Sequence, residues 1–397
     1  MHGVRAPSSG GRGLLLRSSL APAAHGSQSS HMNLLKREIA VSSTNLEELA
    51  KQKKYRILMV TGIYPTKERP HSGTFVKALV DALEFEGHTV EIVHPKPGPV
   101  PIRYASATLQ VFLKTLTGRF DIIHGHYGLW CLVGRLQWTT AVVAAFLGDD
   151  LLGTVTAEGG HSKKSLLVKR VSQWLCHHVE AVTVKTEQMK RASLIDDAIV
   201  IPDGINFELF QPIPREEARA ALGWDQDRYY VVFANNPAIP VKNFALAQAA
   251  IERLKARGMT AELVVANGLP QSTVVQYMNA SNALILPSVA EGSPNVVREA
   301  MACNVPVVTT DVGDVAQVLA HTEGCSTCPH DAEALAAGLE KALLHTERTT
   351  GRQDTAHLDG KVLVKQVIAM YEMAIEKKHH RAKGQSVSKG VRYGSSS

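Results

Sequence analysis

Short apolar runs alternate with longer helical patterns from residue 55 onward. Residues 56–61 and 89–93 are rich in β-forming apolar residues, and a helical pattern from about Thr74 to Glu86 lies between them. This order predicts a βαβ unit with parallel strands. Further elements are predicted as strands at 121–124 and 181–184 and a helix at 164–176.

The same alternation starts afresh after residues 199–205. The second series predicts strands at 229–234, 261–266, 283–287 and 306–310, and helices at 244–257, 272–280 and 294–302. Two such series predict an α/β protein with two Rossmann-like domains. If these domains face each other across a cleft, ligands bind there, at the carboxyl ends of the strands.

Five segments follow from this pattern along the 397 residues. We expect a tail at 1–37, a first Rossmann-like domain at 38–204 and a second at 205–360. A C-terminal helix at 361–378 packs back on the first domain, and a disordered basic tail occupies 379–397. The first tail resembles a transit peptide in composition, although its residues 25–32 also resemble a cloning remnant.

Charge is distributed unevenly between these segments. The formal net charge is +6, but 11 of the 43 Lys and Arg residues lie in 1–37 and 377–397, which contain no acid. The remainder holds 32 basic and 37 acidic residues, so we expect no folded basic face for nucleic acid. Five cysteines and no membrane-length apolar run favour a cytoplasmic protein, and peripheral contact with the inner membrane face stays open.

The segment from Leu284 to Gly313 carries the most informative chemistry. A strand ends in a loop with Glu291, and Pro294 then opens a helix that contains Glu299. The unpaired amides of the first helical turn form a site for phosphate, and carboxylates accept hydrogen bonds from sugar hydroxyls. A nucleotide sugar has both groups. The three backbone amides of the first helical turn that form the phosphate site are those of Asn295, Val296 and Val297.

The Glu-x7-Glu pattern, followed by Ala-Met-Ala-Cys-Asn-Val-Pro-Val-Val at 300–308, resembles the donor-site motif of the retaining GT-B glycosyltransferases of family 4. The resemblance spans about residues 55–375 and implies that Glu299 binds the ribose diol. It also implies that Glu291, Gly292 and Ser293 hold the donor sugar and phosphates. Lys242, next to Asn243, would stabilise the leaving diphosphate. Many relatives add an arginine where this chain has Pro237.

The first domain supplies the remaining expected contacts. By the same resemblance, Gly73 and Thr74 form a glycine loop near the donor phosphates. His126 and Tyr127 follow a strand near the acceptor, and Asp149 meets a sugar hydroxyl. We therefore expect Lys242, Glu291 and His126 to be the catalytic residues. Leu147 stands where many relatives have a donor-contacting histidine.

The resemblance implies transfer of a sugar, with retention of configuration, from a UDP-, GDP- or ADP-sugar to an acceptor hydroxyl. The acceptor would be a polysaccharide, a glycolipid, another lipid-linked sugar or a small molecule. We expect no metal and no cofactor, because no Asp-x-Asp motif is evident. Two alternatives stay open: a catalytically impaired nucleotide-sugar-binding protein and a GT-B nucleotide-sugar epimerase.

Overall fold

The first of two parallel sheets is built from six strands. A computed structural model describes residues 53–154, 160, 162–345 and 347–384 of the chain. The strand order is β2-β1-β3-β4-β5-β6, and every pairing is parallel. The strands are β1 (Arg56–Thr61), β2 (Thr89–Val93), β3 (Ile122–His126), β4 (Ala141–Ala145), β5 (Ala181–Val184) and β6 (Ile199–Val200).

Six helices belong to this first series. They are α1 (Thr74–Phe85), α2 (Val100–Thr117), α3 (Gly128–Arg135), α4 (Asp149–Leu152), α5 (Lys163–Cys176) and α6 (Glu187–Ser193). Helices α2, α3 and α5 cover one face of the sheet, where Val111, Trp130 and Leu175 join one buried cluster. Helix α1 covers the opposite face through Val76 and Val80. Both faces are therefore covered, as a parallel sheet requires.

The second sheet contains five parallel strands in the order β11-β10-β9-β7-β8. Its strands are β7 (Tyr229–Phe233), β8 (Ala261–Val265), β9 (Ala283–Leu286), β10 (Val307–Thr310) and β11 (Ser326–Cys328). Its helices are α7 (Arg215–Leu222), α8 (Phe244–Ala256), α9 (Gln271–Ala280), α10 (Asn295–Ala302), α11 (Val315–Leu319), α12 (Ala332–Leu344) and α13 (Gly351–Asp354). Two apolar clusters fill its two faces. The predicted α/β class with two Rossmann-like sheets is confirmed.

The last helix, α14 (Gly360–Ala382), returns from the second sheet to the first. Its Val367, Ile368 and Tyr371 are buried in the cluster that contains Met59 of β1 and the buried side of α1. The Tyr371 hydroxyl lies 2.7 Å from Nδ1 of His124 in β3. Packing of this apolar stripe fixes the end of the chain on the first sheet.

The chain crosses between the two sheets at two points that lie against each other. Ile205 donates to the carbonyl of Leu358 at 2.9 Å, and Gly360 donates to the carbonyl of Ile205 at 2.9 Å. A Cβ atom on Gly204 would lie 2.6 Å from the Cα atom of Gly360, so only glycine allows this approach. The two crossings therefore form one hydrogen-bonded junction.

The structure contains elements that the sequence pattern did not predict, among them β6, β11 and the helices α3, α4, α6, α7, α11 and α13. Strand β4 and helix α2 were not predicted, since α2 keeps apolar residues on its exposed side and so lacks a clean helical pattern. Helix α14 continues to Ala382, which corrects the tail predicted from residue 379. Its last turn contains His379, His380 and Arg381, and cations are favoured at a helix carboxyl end.

The predictions for 1–37 and for 385–397 lie outside the described residues, and the predicted domain boundaries stay predictions. No helix within the described ranges is both long and apolar enough to cross a membrane.

The return helix gives a direct test of the fold. Replacing Tyr371 by alanine removes a buried ring, and we expect the free energy of unfolding to fall by about 3–5 kcal/mol. Tyr371→Phe keeps the ring and loses only the contact with His124, so about 1–3 kcal/mol should be lost. Urea unfolding followed by circular dichroism measures both. A loss below about 1 kcal/mol for the alanine variant would contradict this packing.

Candidate functional site

Two loops of the second sheet meet through an ion pair. Lys242 ends a short 3-10 turn after β7, and its Nζ atom lies 2.6 Å from Oε1 of Glu291, in the loop after β9. Ser288 donates its hydroxyl to the same carboxylate oxygen at 2.7 Å. The Val289 amide also donates to the Val241 carbonyl at 2.8 Å, so backbone and side chains join the two loops.

The backbone carbonyl of Ser288 anchors the loop that contains Glu291. Its carbonyl oxygen accepts a hydrogen bond from the Thr310 hydroxyl at 2.6 Å, and Nε2 of His330 lies 2.6 Å from the same oxygen. Thr310 is buried at the end of β10. These contacts limit the positions available to the Glu291 carboxylate, which is largely shielded from water.

A second ion pair braces the same loop and was not predicted from the sequence. Arg298 of α10 is fully buried and pairs with Asp314, which also accepts a hydrogen bond from the Ser293 hydroxyl at 3.1 Å. Two guanidinium nitrogens of Arg298 and Oδ1 of Asp314 have no protein partner within the described residues. Gly313 lies beside this pair with φ of 60°, and a Cβ atom there would lie 2.5 Å from the Gly292 carbonyl oxygen.

Helix α10 begins one residue later than predicted, and this changes its anion site. Pro294 precedes the helix, and its carbonyl accepts from the Val297 amide at 3.2 Å. Within the described chain, the amides of Asn295 and Val296 donate to no protein acceptor. Two free amides, rather than the predicted three, therefore remain at the positive end of the helix dipole.

Glu299 lies in the same helix and differs from Glu291 in its surroundings. Burial raises the pKa of Glu299 to about 7, because removal from water disfavours the charged form. No described residue donates a hydrogen bond to its carboxylate. Hydroxyl donors from a ligand would therefore find an unoccupied acceptor at Glu299, whereas Glu291 already accepts from Lys242 and Ser288.

The loop of the first domain that contains Leu147 and Gly148 touches this site. A Cβ atom on Gly292 would lie 3.0 Å from the Cα atom of Gly148 and 3.1 Å from the Leu147 carbonyl oxygen. The Leu147 loop is held by buried Asp150, which accepts hydrogen bonds from the amides of Leu147, Gly148 and Gly128 at 2.9–3.1 Å. The two domains thus meet backbone to backbone at the Glu291 loop.

A polar link also runs from the first domain to the start of α10. Lys185, after β5, pairs with Asp203 at 2.6 Å, and both side chains are largely buried. The second carboxylate oxygen of Asp203 accepts a hydrogen bond from the Asn295 side chain at 3.3 Å. The link therefore joins the first sheet, the crossing segment and the helix that carries the free amides.

His126 lines a small interior cavity that extends to the crossing segment at Asp203 and Gly204. This cavity measures about 40 Å³ and is also lined by His124, Thr183 and Lys185. His126 is 1% exposed, and neither of its ring nitrogens has a protein partner within the described residues. Burial, and then the charge of Lys185, lower the pKa of His126 to about 3. The neutral His126 imidazole is therefore largely removed from solvent in this conformation, and its predicted role near the acceptor stays a prediction.

The other predicted residues of the first domain lie separately along the ends of its strands. Gly73 precedes α1 with φ of 65°, and Thr74 is the first residue of that helix. Tyr127 precedes α3 with φ of 76°, and Asp149 accepts a hydrogen bond from the Thr154 hydroxyl at 3.2 Å. Among the described residues, no hydrogen bond joins these four to the second domain.

Several buried polar atoms in α10 and in neighbouring loops of the second domain remain unpaired. Besides Arg298 and Asp314, they include the side-chain amide of Asn235 after β7 and Oδ1 of Asn295, all buried and unpartnered within the described chain. An unpaired buried polar group is costly, and such groups at one sheet edge indicate a polar ligand. The described residues contain no group of three His, Cys, Asp or Glu side chains placed to hold a metal ion.

Sequence comparison identifies relatives of this chain. Residues 230–345 match the family model described as "Glycosyl transferases group 1". The chain is 25% identical to TuaC of Bacillus subtilis, whose name connects it with teichuronic acid biosynthesis, over 72% of this chain and 88% of that protein. It is 24% identical to a D-inositol 3-phosphate glycosyltransferase of Thermobispora bispora, over 62% of this chain and 67% of that protein.

Solved structures show which fold these residues adopt. The sucrose-phosphate synthase of Thermosynechococcus elongatus matches with a TM-score of 0.66 at 19% identity, over 82% of this chain and all of that one. HepE of Anabaena, solved with UDP and glucose, matches with a TM-score of 0.60 at 16% identity, over 80% and 99%. The chain has the GT-B fold of these structures, and its residues 230–345 are similar to the group 1 glycosyltransferases. The predicted two-domain GT-B architecture is thereby confirmed.

The pairing of Arg298 with Asp314 can be tested by a double-mutant cycle. Arg298→Met leaves Asp314 without its cation, and we expect the free energy of unfolding to fall by about 3–5 kcal/mol. Arg298→Met combined with Asp314→Asn removes both charges and should cost clearly less than the single change. Urea unfolding provides the values. A double variant as unstable as the sum of the two single variants would contradict the coupling.

Proposed function

We propose that this GT-B glycosyltransferase relative transfers a sugar from a nucleoside-diphosphate sugar to an acceptor hydroxyl, with retention of configuration. The observation that carries this proposal is the start of α10, where the free amides of Asn295 and Val296 lie between Glu291 and Glu299. The amides suit a phosphate group and the carboxylates suit sugar hydroxyls. The UDP and glucose found with HepE are ligands of this kind.

Lys242 and Glu291 exchange partners in the proposed mechanism. In the structure each neutralises the other at 2.6 Å. A bound diphosphate attracts the Lys242 ammonium, which then offsets the charge that develops on the leaving group. Glu291 is released to accept a hydrogen bond from the donor sugar. The Ser288 hydroxyl keeps the Glu291 carboxylate in place during this exchange.

Retention requires that the acceptor attacks the face from which the diphosphate leaves. We assign no covalent nucleophile, and we propose that a departing phosphate oxygen takes the acceptor proton. The donor is a UDP-, GDP- or ADP-hexose, and the acceptor is a carbohydrate or a lipid-linked sugar. We propose that the reaction takes place in the cytoplasm without a bound metal, for example during polysaccharide synthesis.

The deciding experiment incubates the full-length protein with UDP-, GDP- and ADP-glucose. Release of nucleoside diphosphate, by hydrolysis or transfer, supports the glycosyltransferase. A C2-epimerised sugar nucleotide would instead support an epimerase. Binding without turnover would support a non-catalytic protein, which Leu147 and Pro237 favour because they replace a histidine and an arginine common in relatives.

Lys242→Ala tests the leaving-group role. We expect the rate of nucleoside diphosphate release, as kcat/KM, to fall about 100-fold or more, since one preorganised charge is lost. Lys255→Ala is the matched control, because Lys255 lies on the exposed side of α8 and pairs only with Glu252. A loss below about threefold for Lys242→Ala would remove this role.

Glu299 predicts a pH dependence of donor binding. Ribose hydroxyls donate to the ionised carboxylate, and a carboxyl with its pKa near 7 is largely protonated below that value. UDP-glucose should therefore bind more tightly as the pH rises from about 6 to about 8, with release of a proton. Calorimetry in buffers of different ionisation enthalpy measures both effects.

The matched control for this pH test is Glu299→Gln. This variant should bind the donor more weakly and with no change over the same pH range, because its side chain does not titrate. The pyrophosphate diester of UDP-glucose has no ionisation near neutral pH, so any change belongs to the protein. Equal affinity and equal pH profiles for the two proteins would refute the ribose role of Glu299.

A further inference from the structure

Exposed apolar side chains are concentrated on one side of the first sheet. Of 18 large hydrophobic residues that are exposed among the described residues, 11 lie on α2, on α5 or just after α3. The most exposed include Leu116 and Leu167, each 63% exposed, and Trp138, which is 70% exposed. An apolar surface of this kind on a folded domain indicates a binding surface.

These helices form one continuous layer. Helices α2, α3 and α5 share a single buried cluster beneath them, with α3 in contact with both of its neighbours. A hollow of about 410 Å³ lies between α2 and the end of α3, and it is lined by Leu109, Phe112, Val133 and Leu136 among others. We name this layer the α2–α3–α5 face.

The α2–α3–α5 face also carries a single sign of charge. None of the 37 Asp and Glu residues of the chain lies in α2, α3 or α5, whereas these helices contain seven Lys and Arg residues. Lys163, Lys164 and Arg170 are exposed on α5, although Lys114 of α2 is paired with Glu91. Between the two basic tails the chain has an excess of acid, so these acid-free helices differ in charge from the rest of that region.

We propose that the α2–α3–α5 face docks on a bilayer that contains anionic lipid. Exposed leucine and tryptophan side chains insert at the headgroup boundary, while lysine and arginine attract anionic headgroups. A second copy of the chain is disfavoured, because a two-fold dimer would bring two basic faces together. Nucleic acid would use the positive charge but would leave the exposed leucines without a role.

Docking has a consequence for the cleft that rests on the proposed function. Helices α2 and α3 follow strands β2 and β3, so their amino ends lie at the carboxyl edge of the sheet, where the cleft begins. Docking would place that edge beside the bilayer surface. A lipid-linked acceptor would then reach the cleft without leaving the membrane. The docking itself requires no sugar transfer.

Vesicle binding of the full-length protein tests the proposal. We expect sedimentation with vesicles of phosphatidylcholine and about 30% phosphatidylglycerol, and weaker sedimentation with phosphatidylcholine alone or at high salt. Leu116→Glu combined with Leu167→Glu should lower the partition coefficient about tenfold or more, by adding acid to the apolar face. Leu344→Glu is the matched control, since Leu344 is 62% exposed on α12 of the second domain.

Three results would overturn the proposal. The first is equal sedimentation of the double variant and the control. The second is concentration-dependent dimerisation that only the double variant abolishes, because that result assigns the face to a second copy. The third is binding of single-stranded RNA in place of vesicles. Donor binding by the double variant should equal that of the unchanged protein, so failure of docking is distinguishable from failure of the proposed sugar transfer.

Discussion

The junction between the two chain crossings is the constraint on which the rest of this structure depends. Ile205 exchanges hydrogen bonds with Leu358 and Gly360, and the approach of Gly204 to Gly360 leaves no space for a side chain. Because the outgoing and returning segments are fixed to each other, α14 can only continue onto the first sheet, where Tyr371 is buried beside His124. Asp203 lies just before this junction, and it joins Lys185 of the first domain to Asn295 at the start of α10. Polar contacts therefore connect the junction to the candidate site.

The candidate site is preorganised by charges that neutralise each other. Lys242 and Glu291 form one pair and Arg298 and Asp314 form another, and each pair holds a loop that a diphosphate would approach. In a shielded site the attraction between paired charges offsets their desolvation cost, yet either ion can exchange its partner when a stronger one binds. Under the proposed function, the free amides of α10 would bind phosphate and the Glu299 carboxylate would bind hydroxyl groups, and neither contact would require an ion pair to break.

The two faces of the first sheet carry different polar groups. On the α1 and α14 side, His124, His126 and Thr183 line a small interior cavity, and burial lowers the pKa of both histidines. On the opposite side, the α2–α3–α5 face combines exposed leucine and tryptophan with lysine and arginine. A net charge for the whole chain hides this distribution, because acidic residues elsewhere cancel it. The physical behaviour of the surface depends on local charge, since screening limits its range to about 10 Å.

The sequence by itself determined the two parallel sheets, most of their strands and the two glutamates, one before α10 and one within it, because apolar periodicity and turn residues act over short distances along the chain. It missed α2, whose exposed leucines break the expected pattern, and Arg298, which looks like an ordinary helix residue. Only the tertiary structure decided that Lys242 pairs with Glu291, that Val297 has no free amide and that His126 is enclosed. These facts depend on contacts between residues tens or hundreds of positions apart, which packing brings together and which no local pattern specifies.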